Sequence, residues 1–553
     1  MAARRPRFSI AAAPLEKPFP LWILYPLFFV GIYLAHYKLL CLPWFWDEAG
    51  YYIPAALDFF RTGTLIPTST LTNAHPPLPS ILLAAWWHLT GYVISGTRTF
   101  IVMVAAAALL AVFRLARELS GTSAAIAATL LTALYPVWFA QSTLAHADIF
   151  AAAFTLWALC LYFERHRIPQ RPTRLITFSL VAILFACAAL AKETAIITPI
   201  ALAIWEAVLL ITERAQRNPT ASYAWMGALL FPVLPLAGWY LYHWHHTGFI
   251  FGNPEFLRYN ATNNFSAHRV LLSLWHRVNH LTIHMNMYVA VMATGAALFL
   301  PKRAARVLDP ALRRPALLAI AVVVVSNALA FSILGGALLT RYLLPLYPLL
   351  LLVMVAVWRQ RLRAWWMLAS LCAAAFITGL FVNPPYSFAP EDNLTYASMV
   401  RLHQQAASVI AHRFPGATVL TAWPATTELQ HPELGYVLKP VATVALNNFA
   451  QDQIEQAAHD PGAFDTALVF STKWTPPRGF SLTRATESSD RRFFDYHRDL
   501  SPAEIAFLLH GEVVWQGSSR GEWAAVLRFP RSNVARHDPA VACAKGRCTP
   551  DPL

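Results

Sequence analysis

The chain has 553 residues, of which 57% are hydrophobic and 13% are charged. Soluble globular proteins carry about 25% charged residues, so this composition excludes a soluble protein. The apolar residues form runs of about 17 to 22 residues separated by short basic clusters, which is typical of a polytopic membrane protein. The formal net charge of +14 does not indicate a nucleic-acid partner, because the basic residues lie at the ends of apolar runs, where they determine topology.

The N-terminal segment, residues 1–18, is basic and is predicted to lie in the cytoplasm. An apolar run at about 19–40 follows it. This run is too long for the apolar region of a signal peptide and lacks a small-residue cleavage site, so we expect it to remain as a membrane anchor.

Twelve apolar runs are candidates for crossing the membrane. They lie near residues 19–40, 77–90, 99–115, 123–140, 147–163, 175–191, 195–211, 223–242, 287–300, 316–334, 342–358 and 364–382. If all twelve crossed, several basic clusters would lie outside the cell, against the positive-inside rule. If the run at 77–90, which is short and opens with two prolines, stays at the outer interface, all five basic loops become cytoplasmic. We therefore predict eleven crossings.

The predicted fold class is an all-α polytopic membrane domain with about eleven transmembrane helices plus juxtamembrane helices, followed by a small extracytoplasmic α/β or α+β domain. The membrane domain covers 19–382 and includes an outer loop at 41–98. The C-terminal domain covers 383–553. Its predicted elements are an amphipathic helix at 399–413 and short strands at 417–421, 466–470, 512–516 and 523–529.

Ionisable residues from at least five helix ends are predicted to lie at the outer face of the membrane. They include Asp47, Glu48, Asp58, Arg61, His75, Arg98, His146, Asp148, Lys192, Glu193, Arg341 and two groups of histidines, at 243–246 and 276–284. Unpaired charges are costly at this depth, so their convergence favours a functional site.

Individual members of this set have simpler explanations. Two acids at a helix end, such as Asp47 and Glu48, can be a solvated cap. Lys192 and Glu193 can form a structural ion pair, or the lysine can bind a phosphate. The histidines at 243–246 and 276–284 are typical of loop or interface positions, because no zinc motif accompanies them.

Four sequence motifs occur in a characteristic order. They are Trp46-Asp47-Glu48-Ala49-Gly50-Tyr51-Tyr52 with Asn73-Ala74-His75-Pro76-Pro77, then His146-Ala147-Asp148, then Ala191-Lys192-Glu193, and finally Thr340-Arg341-Tyr342-Leu343-Leu344-Pro345. This order resembles the GT-C membrane glycosyltransferases, specifically the bacterial branch related to dolichyl-phosphate-mannose protein mannosyltransferases and lipid A aminoarabinose transferases. The resemblance covers residues 20 to 382.

The resemblance implies an inverting glycosyltransferase that moves a sugar from a polyprenyl-phosphate-linked donor to an extracytoplasmic acceptor, which is a protein, a lipid or a glycan. Asp47 would be the catalytic base, assisted by Glu48. The donor phosphate would be bound by Lys192, Arg341 and His75. Asp148, His146, Tyr342 and Arg98 would bind substrate.

Other consequences follow for cofactors, location and alternatives. The cofactor is unknown, although acids and histidines at this site are able to hold a divalent cation.

The protein is expected in the bacterial inner membrane, with its site and C-terminal domain on the periplasmic side. His75 replaces a lysine that aminoarabinose transferases carry before the two prolines. A lipid or polysaccharide transporter, or a non-catalytic subunit with a partner-binding outer domain, is the alternative to an enzyme.

The six cysteines add one structural prediction. Cys543 and Cys548 are separated by four residues on the oxidising side, where they can close a small disulfide loop. An unstructured tail is the alternative.

Overall fold

The computed structural model divides the chain into two compact units. The first comprises Met1–Tyr396 and Arg478–Asp495, and the second comprises Ala397–Pro477 and Tyr496–Leu553. The structure describes residues 20–70, 72, 74–164, 171–212, 219–252, 266–303, 312–334, 337–476, 487–494 and 496–530. The first unit therefore extends past the predicted boundary at 383. Cys543 and Cys548 lie outside the described residues.

The first unit is built from helices. They are α1 (Leu21–His36), α2 (Ile53–Thr62), α3 (Leu78–Thr90), α4 (Ile94–Ser120), α5 (Thr122–Leu134), α6 (Pro136–Gln141), α7 (Ala147–Glu164), α8 (Arg171–Ala191), α9 (Ile197–Thr212), α10 (Pro219–Leu230), α11 (Val233–Thr247), α12 (Ala267–Thr282), α13 (Met287–Leu298), α14 (Arg314–Leu334), α15 (Leu346–Arg361) and α16 (Trp365–Phe381).

Several of these helices are long and apolar enough to cross a bilayer. Within the described residues, six stretches of 18 residues or more meet that criterion, and four apolar helices are shorter. The predicted fold class is confirmed in its coarse form, a mostly helical chain with apolar helices and a small C-terminal sheet. The number of eleven crossings stays a prediction, as does the peripheral position of α3.

One of the six stretches, Ala267–Leu298, is divided by a break in the backbone. Met285 and Asn286 have φ values of +46° and +66°, in the left-handed region, so the helix direction changes between α12 and α13. Arginines and histidines lie in α12, whereas α13 carries no charged residue. The apolar α13 is therefore the part suited to the bilayer, and α12 is suited to its surface.

The helical core is packed through small residues. Helix α4 packs against α1, α5 and α7, and α7 packs against α8. Ala105, Ala108 and Ala111 on α4 are fully buried. Small side chains allow helix backbones to approach closely, which is the usual way that helices associate in a membrane.

Short turns between these helices carry the candidate site residues. Asp47 and Glu48 begin a π-helical turn, Glu48–Tyr52, which follows Trp46 at φ +44°. Lys192 precedes the 3₁₀ turn Glu193–Ile196, and Arg341 lies in the 3₁₀ turn Thr340–Leu343. Because these turns are non-α-helical and tied to helix ends, they fix side chains in directions that a continuous helix does not offer.

The second unit contains a five-stranded sheet in the order β2-β1-β3-β5-β4. Its strands are β1 (Val419–Ala422), β2 (Thr443–Leu446), β3 (Thr466–Phe470), β4 (Glu512–Ser519) and β5 (Glu522–Arg528). Strand β1 is parallel to β2 and β3, and β5 is antiparallel to β3 and β4. The predicted strands are confirmed, with small differences in their ends. Strand β2 was not predicted, because no buried alternation marks it.

Helices complete this unit. Helix α17 (Thr395–Arg413) contains the predicted amphipathic helix, and the shorter helices are α18 (Ala425–Gln430), α19 (Gln451–Ala457) and α21 (Pro502–Leu508). A further short helix, α20 (Glu487–Phe493), belongs to the chain segment assigned to the first unit.

Candidate active site

Asp47 and Glu48 are adjacent in sequence but lie in different environments. The side chain of Asp47 is 26% exposed, whereas that of Glu48 is fully buried. Glu48 Oε1 accepts hydrogen bonds from the Ala145 amide (2.6 Å) and from Arg98. Its Oε2 accepts from the Phe45 amide (2.9 Å) and again from Arg98. Both oxygens of Glu48 are therefore used within the protein.

Arg98 completes this buried pair. Its two Nη atoms lie 3.2 Å and 3.0 Å from the Glu48 oxygens. The remaining donors bind three backbone carbonyls, those of Leu42, Pro43 and Thr143. All five N–H groups of the guanidinium are thus occupied. The family resemblance implied a catalytic role for Glu48 and a substrate-binding role for Arg98. This geometry indicates instead that the pair joins the loop before Asp47 to the loop before α7.

Arg341 is the centre of the site. Its guanidinium donates to Asp47 Oδ2 through Nη2 and to Glu391 Oε1 through Nη1. Its Nε lies 3.3 Å from Asp148 Oδ2. Three carboxylates from distant parts of the chain therefore surround one buried guanidinium, and Asp47 is the most exposed of them.

Lys192 is a second cation at this centre. Its ammonium donates to Asp148 Oδ1 and lies 3.7 Å from the centre of the Tyr342 ring. Asp148 therefore links Lys192 to Arg341, and the ring of Tyr342 provides a cation–π contact. The sequence left two explanations for Lys192 open, and the structure shows an ion pair. Its partner is Asp148, whereas Glu193 is bound to His75.

Tyr342 lies among three cations. The guanidinium carbons of Arg341 and Arg277 are each 5.9 Å from the ring centre, in addition to the closer Lys192 ammonium. Arg277 donates to the carbonyls of Leu339 and Ala337 at 3.0 and 3.1 Å. A cluster of cations around one aromatic ring is suited to an anionic ligand.

Glu391 lies in the segment after α16 and belongs to the first unit. It is 3% exposed. Burial raises the pKa of this carboxyl, Arg341 opposes the rise, and the nearby charges of Asp47 and Asp392 add to it. Glu391 therefore takes up a proton more readily than an ordinary glutamate, which reduces the net negative charge of the cluster.

His146 is fully buried beside these charges. Its Nδ1 lies 2.9 Å from Gln141 Oε1 and 3.5 Å from Arg341 Nη1, and we assign the ring proton to Nδ1 on the basis of the shorter contact. Its Nε2 has no hydrogen-bond partner in the described part of the chain. Burial and the cations Arg341 and Lys192 hold its pKa well below the usual range. His146 is consequently neutral at physiological pH and presents a free acceptor.

His75 is paired with an acid. Its Nδ1 lies 3.0 Å from Glu193 Oε2, and both side chains are partly buried. The imidazole stacks near Tyr52, with ring centres 6.1 Å apart, and Tyr52 also lies 5.9 Å from His146. Tyr52 thus connects His75 to the central cluster.

The other histidine groups are structural in the described residues. His243 bonds to Thr72 and to the Phe249 carbonyl. His276 lies 3.0 Å from Asp490, and His284 lies 2.9 Å from Asp392. These contacts agree with the interpretation of loop and interface residues.

Three members of the site were not found by sequence reasoning. Tyr52 was quoted in a motif without a role, and Glu391 lay beyond the expected end of the membrane domain. Arg277 lies in the middle of an amphipathic helix, where a cation is usually solvated. Its position eight residues after Arg269 on one helix face is the available signal.

The structure was searched for side chains that could together hold a metal ion. Among the described residues, no group of three or more His, Cys, Asp and Glu side chains is arranged to hold a metal ion. The divalent cation considered from the sequence stays a prediction.

Comparison with known proteins identifies the class of the fold. Residues 74–239 match the family model described as dolichyl-phosphate-mannose-protein mannosyltransferase. This segment contains His75, His146, Asp148 and Lys192. A search of curated proteins found no match.

Solved structures extend the similarity over nearly the whole chain. ArnT from Cupriavidus metallidurans in the apo state superimposes with a TM-score of 0.55 at 14% identity, covering 91% of this chain and 97% of ArnT. ArnT from the same organism bound to undecaprenyl phosphate gives a TM-score of 0.53 at 14% identity, covering 93% and 98%. The chain therefore has the GT-C fold, and the resemblance predicted from the sequence is confirmed.

Proposed function

We propose that the protein is an inverting membrane glycosyltransferase that transfers a sugar from a polyprenyl-phosphate-linked donor to an extracytoplasmic acceptor. One observation carries this proposal: Asp47, the most exposed of the carboxylates bound to Arg341, lies in a cluster that gathers three cations around Tyr342. A base next to a phosphate-binding region is the arrangement that this reaction needs. The similar ArnT was solved bound to undecaprenyl phosphate.

Asp47 is the general base. Its carboxylate takes the proton of the acceptor hydroxyl or amine while that atom attacks the anomeric carbon. The bond from the anomeric carbon to the phosphate oxygen breaks, and the electron pair leaves with the lipid phosphate. A single displacement inverts the anomeric configuration. The ion pair with Arg341 fixes the direction of the Asp47 carboxylate.

Cations assist the departure of the phosphate. Lys192 and Arg341 are already paired with acids, so their charge is partly neutralised. Arg277 bonds to backbone carbonyls, and its Nε has no hydrogen-bond partner in the described part of the chain. We therefore assign to Arg277, together with Lys192 and Arg341, the stabilisation of charge on the leaving phosphate.

His75 is proposed as a further phosphate ligand. Glu193 fixes the orientation of its ring through Nδ1, and the ring lies beside Tyr52, which also lies beside His146 of the central cluster. Asp148 positions Lys192 and Arg341, and the free Nε2 of His146 accepts a hydrogen bond from a sugar or acceptor hydroxyl. Tyr342 provides the aromatic surface between the cations. Glu48 and Arg98 hold the loop that carries Asp47.

The proposed setting is the periplasmic face of a bacterial inner membrane, with eleven crossings and the second unit outside. The support is the distribution of basic loops in the sequence. The proposed acceptor is a protein, a lipid or a glycan, because each of these offers a hydroxyl or amine to Asp47.

Binding of the donor phosphate is the first experiment. Undecaprenyl phosphate is added to the purified full-length protein in detergent, and the bound fraction is measured by native mass spectrometry. We expect saturable binding, with affinity reduced about tenfold or more in Arg277→Gln, because a charge-assisted hydrogen bond is worth about 1.5–3 kcal/mol. Arg401→Gln, which removes an exposed arginine of the second unit, is the control. Absence of binding by the wild type would overturn the proposed donor class.

A further inference from the structure

Helix α12 carries a row of buried polar side chains along one face. Arg269, Ser273 and Arg277 are four residues apart, so successive members lie one above the other on the helix. Their exposed fractions are 1%, 0% and 0%. Two buried guanidinium groups and one hydroxyl group therefore lie along a single face of α12.

Four polar atoms of this row have no hydrogen-bond partner in the part of the chain that the structure describes. Arg269 Nε and Nη1, Ser273 Oγ and Arg277 Nε all lack hydrogen-bond partners in the described part of the chain. The mechanism above uses Arg277, but it assigns no role to Arg269 or Ser273. These two side chains therefore need a separate explanation.

Aromatic rings hold the two guanidinium groups in place. The guanidinium carbon of Arg269 is 5.4 Å from the centre of the Phe494 ring, and that of Arg277 is 5.5 Å from the centre of the Phe331 ring. Cation–π contacts engage the face of a guanidinium and leave its N–H edges free. The acid Asp490, from the same segment as Phe494, is bound to His276 at 3.0 Å.

Charge decides which ligand suits the row. Burying a guanidinium without a counter-ion costs several kcal/mol, and buried donors without acceptors add to that cost. An anion with several acceptor oxygens satisfies both requirements, and a phosphate group matches the fork of an arginine. Neutral sugars satisfy the hydrogen bonds but not the charge.

We propose that Arg269 and Ser273 form a second phosphate subsite on α12, adjacent to the donor-phosphate cation Arg277. The inference rests on the proposed function in that Arg277 binds the first phosphate. The two subsites together recognise two phosphate groups at once. The second phosphate belongs either to a diphosphate-linked donor lipid or to a phosphorylated acceptor.

Binding to lipid probes separates these sources. Undecaprenyl phosphate and undecaprenyl diphosphate are titrated separately into the purified full-length protein, with native mass spectrometry as the readout. A diphosphate donor predicts that the wild type binds the diphosphate about tenfold or more tightly than the monophosphate. In Arg269→Gln this preference is lost, while affinity for the monophosphate stays within about twofold of the wild type.

An acceptor phosphate predicts a different result. The wild type then binds both lipids equally, but inorganic phosphate binds in addition to saturating undecaprenyl phosphate, and this additional binding is lost in Arg269→Gln. Ser273→Ala weakens either signal, Arg269→Lys retains part of it because the charge remains, and Arg401→Gln leaves it unchanged. The lysine variant also serves if the glutamine variant does not fold.

The remaining outcomes would overturn the second phosphate subsite, the proposed donor class, or both. Equal binding of both lipids without added binding of inorganic phosphate overturns the second subsite. Equal loss of monophosphate and diphosphate affinity in Arg269→Gln also overturns it, because Arg269 then belongs to the first subsite. If neither lipid binds but inorganic phosphate binds in an Arg269-dependent way, the subsite stands and the proposed donor class fails. If nothing binds, both fail.

Discussion

The guanidinium of Arg341 binds the carboxylate of Asp47 although the two residues are 294 positions apart in the chain. Both lie in short non-α-helical turns, Asp47 at the start of Glu48–Tyr52 and Arg341 within Thr340–Leu343. The ion pair joins the loop after α1 to the turn before α15. The proposed base is thereby held against a fixed cation and not on a free loop.

The first prediction concerns the buried Glu48–Arg98 pair. Arg98→Met leaves a fully buried carboxylate without its counter-ion, which typically costs about 3–5 kcal/mol. We expect the midpoint temperature at which the detergent-solubilised protein loses its monodisperse peak in size-exclusion chromatography to fall by many degrees. Replacing Glu48 with Gln in addition should recover part of the loss, since the neutral side chain needs no counter-ion.

The matched control is an exposed ion pair. Arg528 and Glu512 are 2.6 Å apart, with side chains 57% and 66% exposed. Exposed pairs contribute about 0–1 kcal/mol, so Arg528→Gln should change the midpoint little. If Arg98→Met behaves like Arg528→Gln, the pair does not hold the loop of Asp47.

The second prediction is a pH dependence in the C-terminal unit. Glu522 is fully buried, and one of its oxygens accepts a hydrogen bond from Ser471. Burial raises the pKa of Glu522 from 4.5 to about 8, with a further contribution from the charge of Asp499. Between these pH values the folded unit keeps a proton that the unfolded chain releases. Raising the pH from 5 through 8 therefore lowers the free energy of unfolding, by a few kcal/mol.

Glu522→Gln mimics the protonated carboxyl and should remove this dependence. The measurement is hydrogen exchange of peptides covering β3 and β5 between pH 6 and 9, expressed as protection relative to the intrinsic rate at each pH. The neighbouring Asp499 does not produce the same pH dependence. Burial raises its pKa, but hydrogen bonds from His497 and Thr472 lower it by more, so Asp499 titrates below pH 6. Equal protection of the wild type at pH 6 and pH 9 would contradict the assignment.

The third prediction concerns topology. If α3 remains at the outer interface, the residue between α3 and α4 faces the periplasm and the residue after α4 faces the cytoplasm. Val93 and Ser123 are exposed and suit cysteine labelling in a background that lacks Cys41, Cys543 and Cys548. We expect a membrane-impermeant maleimide to label Val93→Cys in intact spheroplasts and Ser123→Cys only after lysis. The reverse pattern would mean that α3 crosses.

The sequence predicted the class of the fold and much of the site because both depend on local signals. Apolar run length and basic loops indicate membrane helices, and turns at helix ends concentrate the polar motifs. Asp47, Asp148, Lys192 and Arg341 were all expected at one face, and the structure brings them together.

The remaining features depend on side-chain direction and long-range pairing. No local signal distinguishes Asp47 from Glu48, since only the π-helical turn after Trp46 leaves one exposed and buries the other against Arg98. Glu391 joins the site because the chain after α16 packs with the first unit. Lys192 likewise pairs with Asp148, which is distant in sequence, instead of with its neighbour Glu193, because α7 and α8 pack together.

Asp47→Asn tests the central claim most directly. The substitution preserves the shape of the side chain and removes its basicity. Loss of a general base typically lowers the rate about a hundred- to ten-thousand-fold, and the phosphate cations are left in place. Asp47→Glu, which keeps a carboxylate at a displaced position, should retain more activity than Asp47→Asn.

The measurement is release of undecaprenyl phosphate from a panel of undecaprenyl-phosphate-linked sugars by the purified protein with a cell-envelope extract as acceptor, alongside binding of undecaprenyl phosphate. For Asp47→Asn the account predicts turnover at least about a hundredfold below the wild type, with binding of undecaprenyl phosphate within about twofold. Near-normal turnover by Asp47→Asn in an assay where the wild type is active would contradict it.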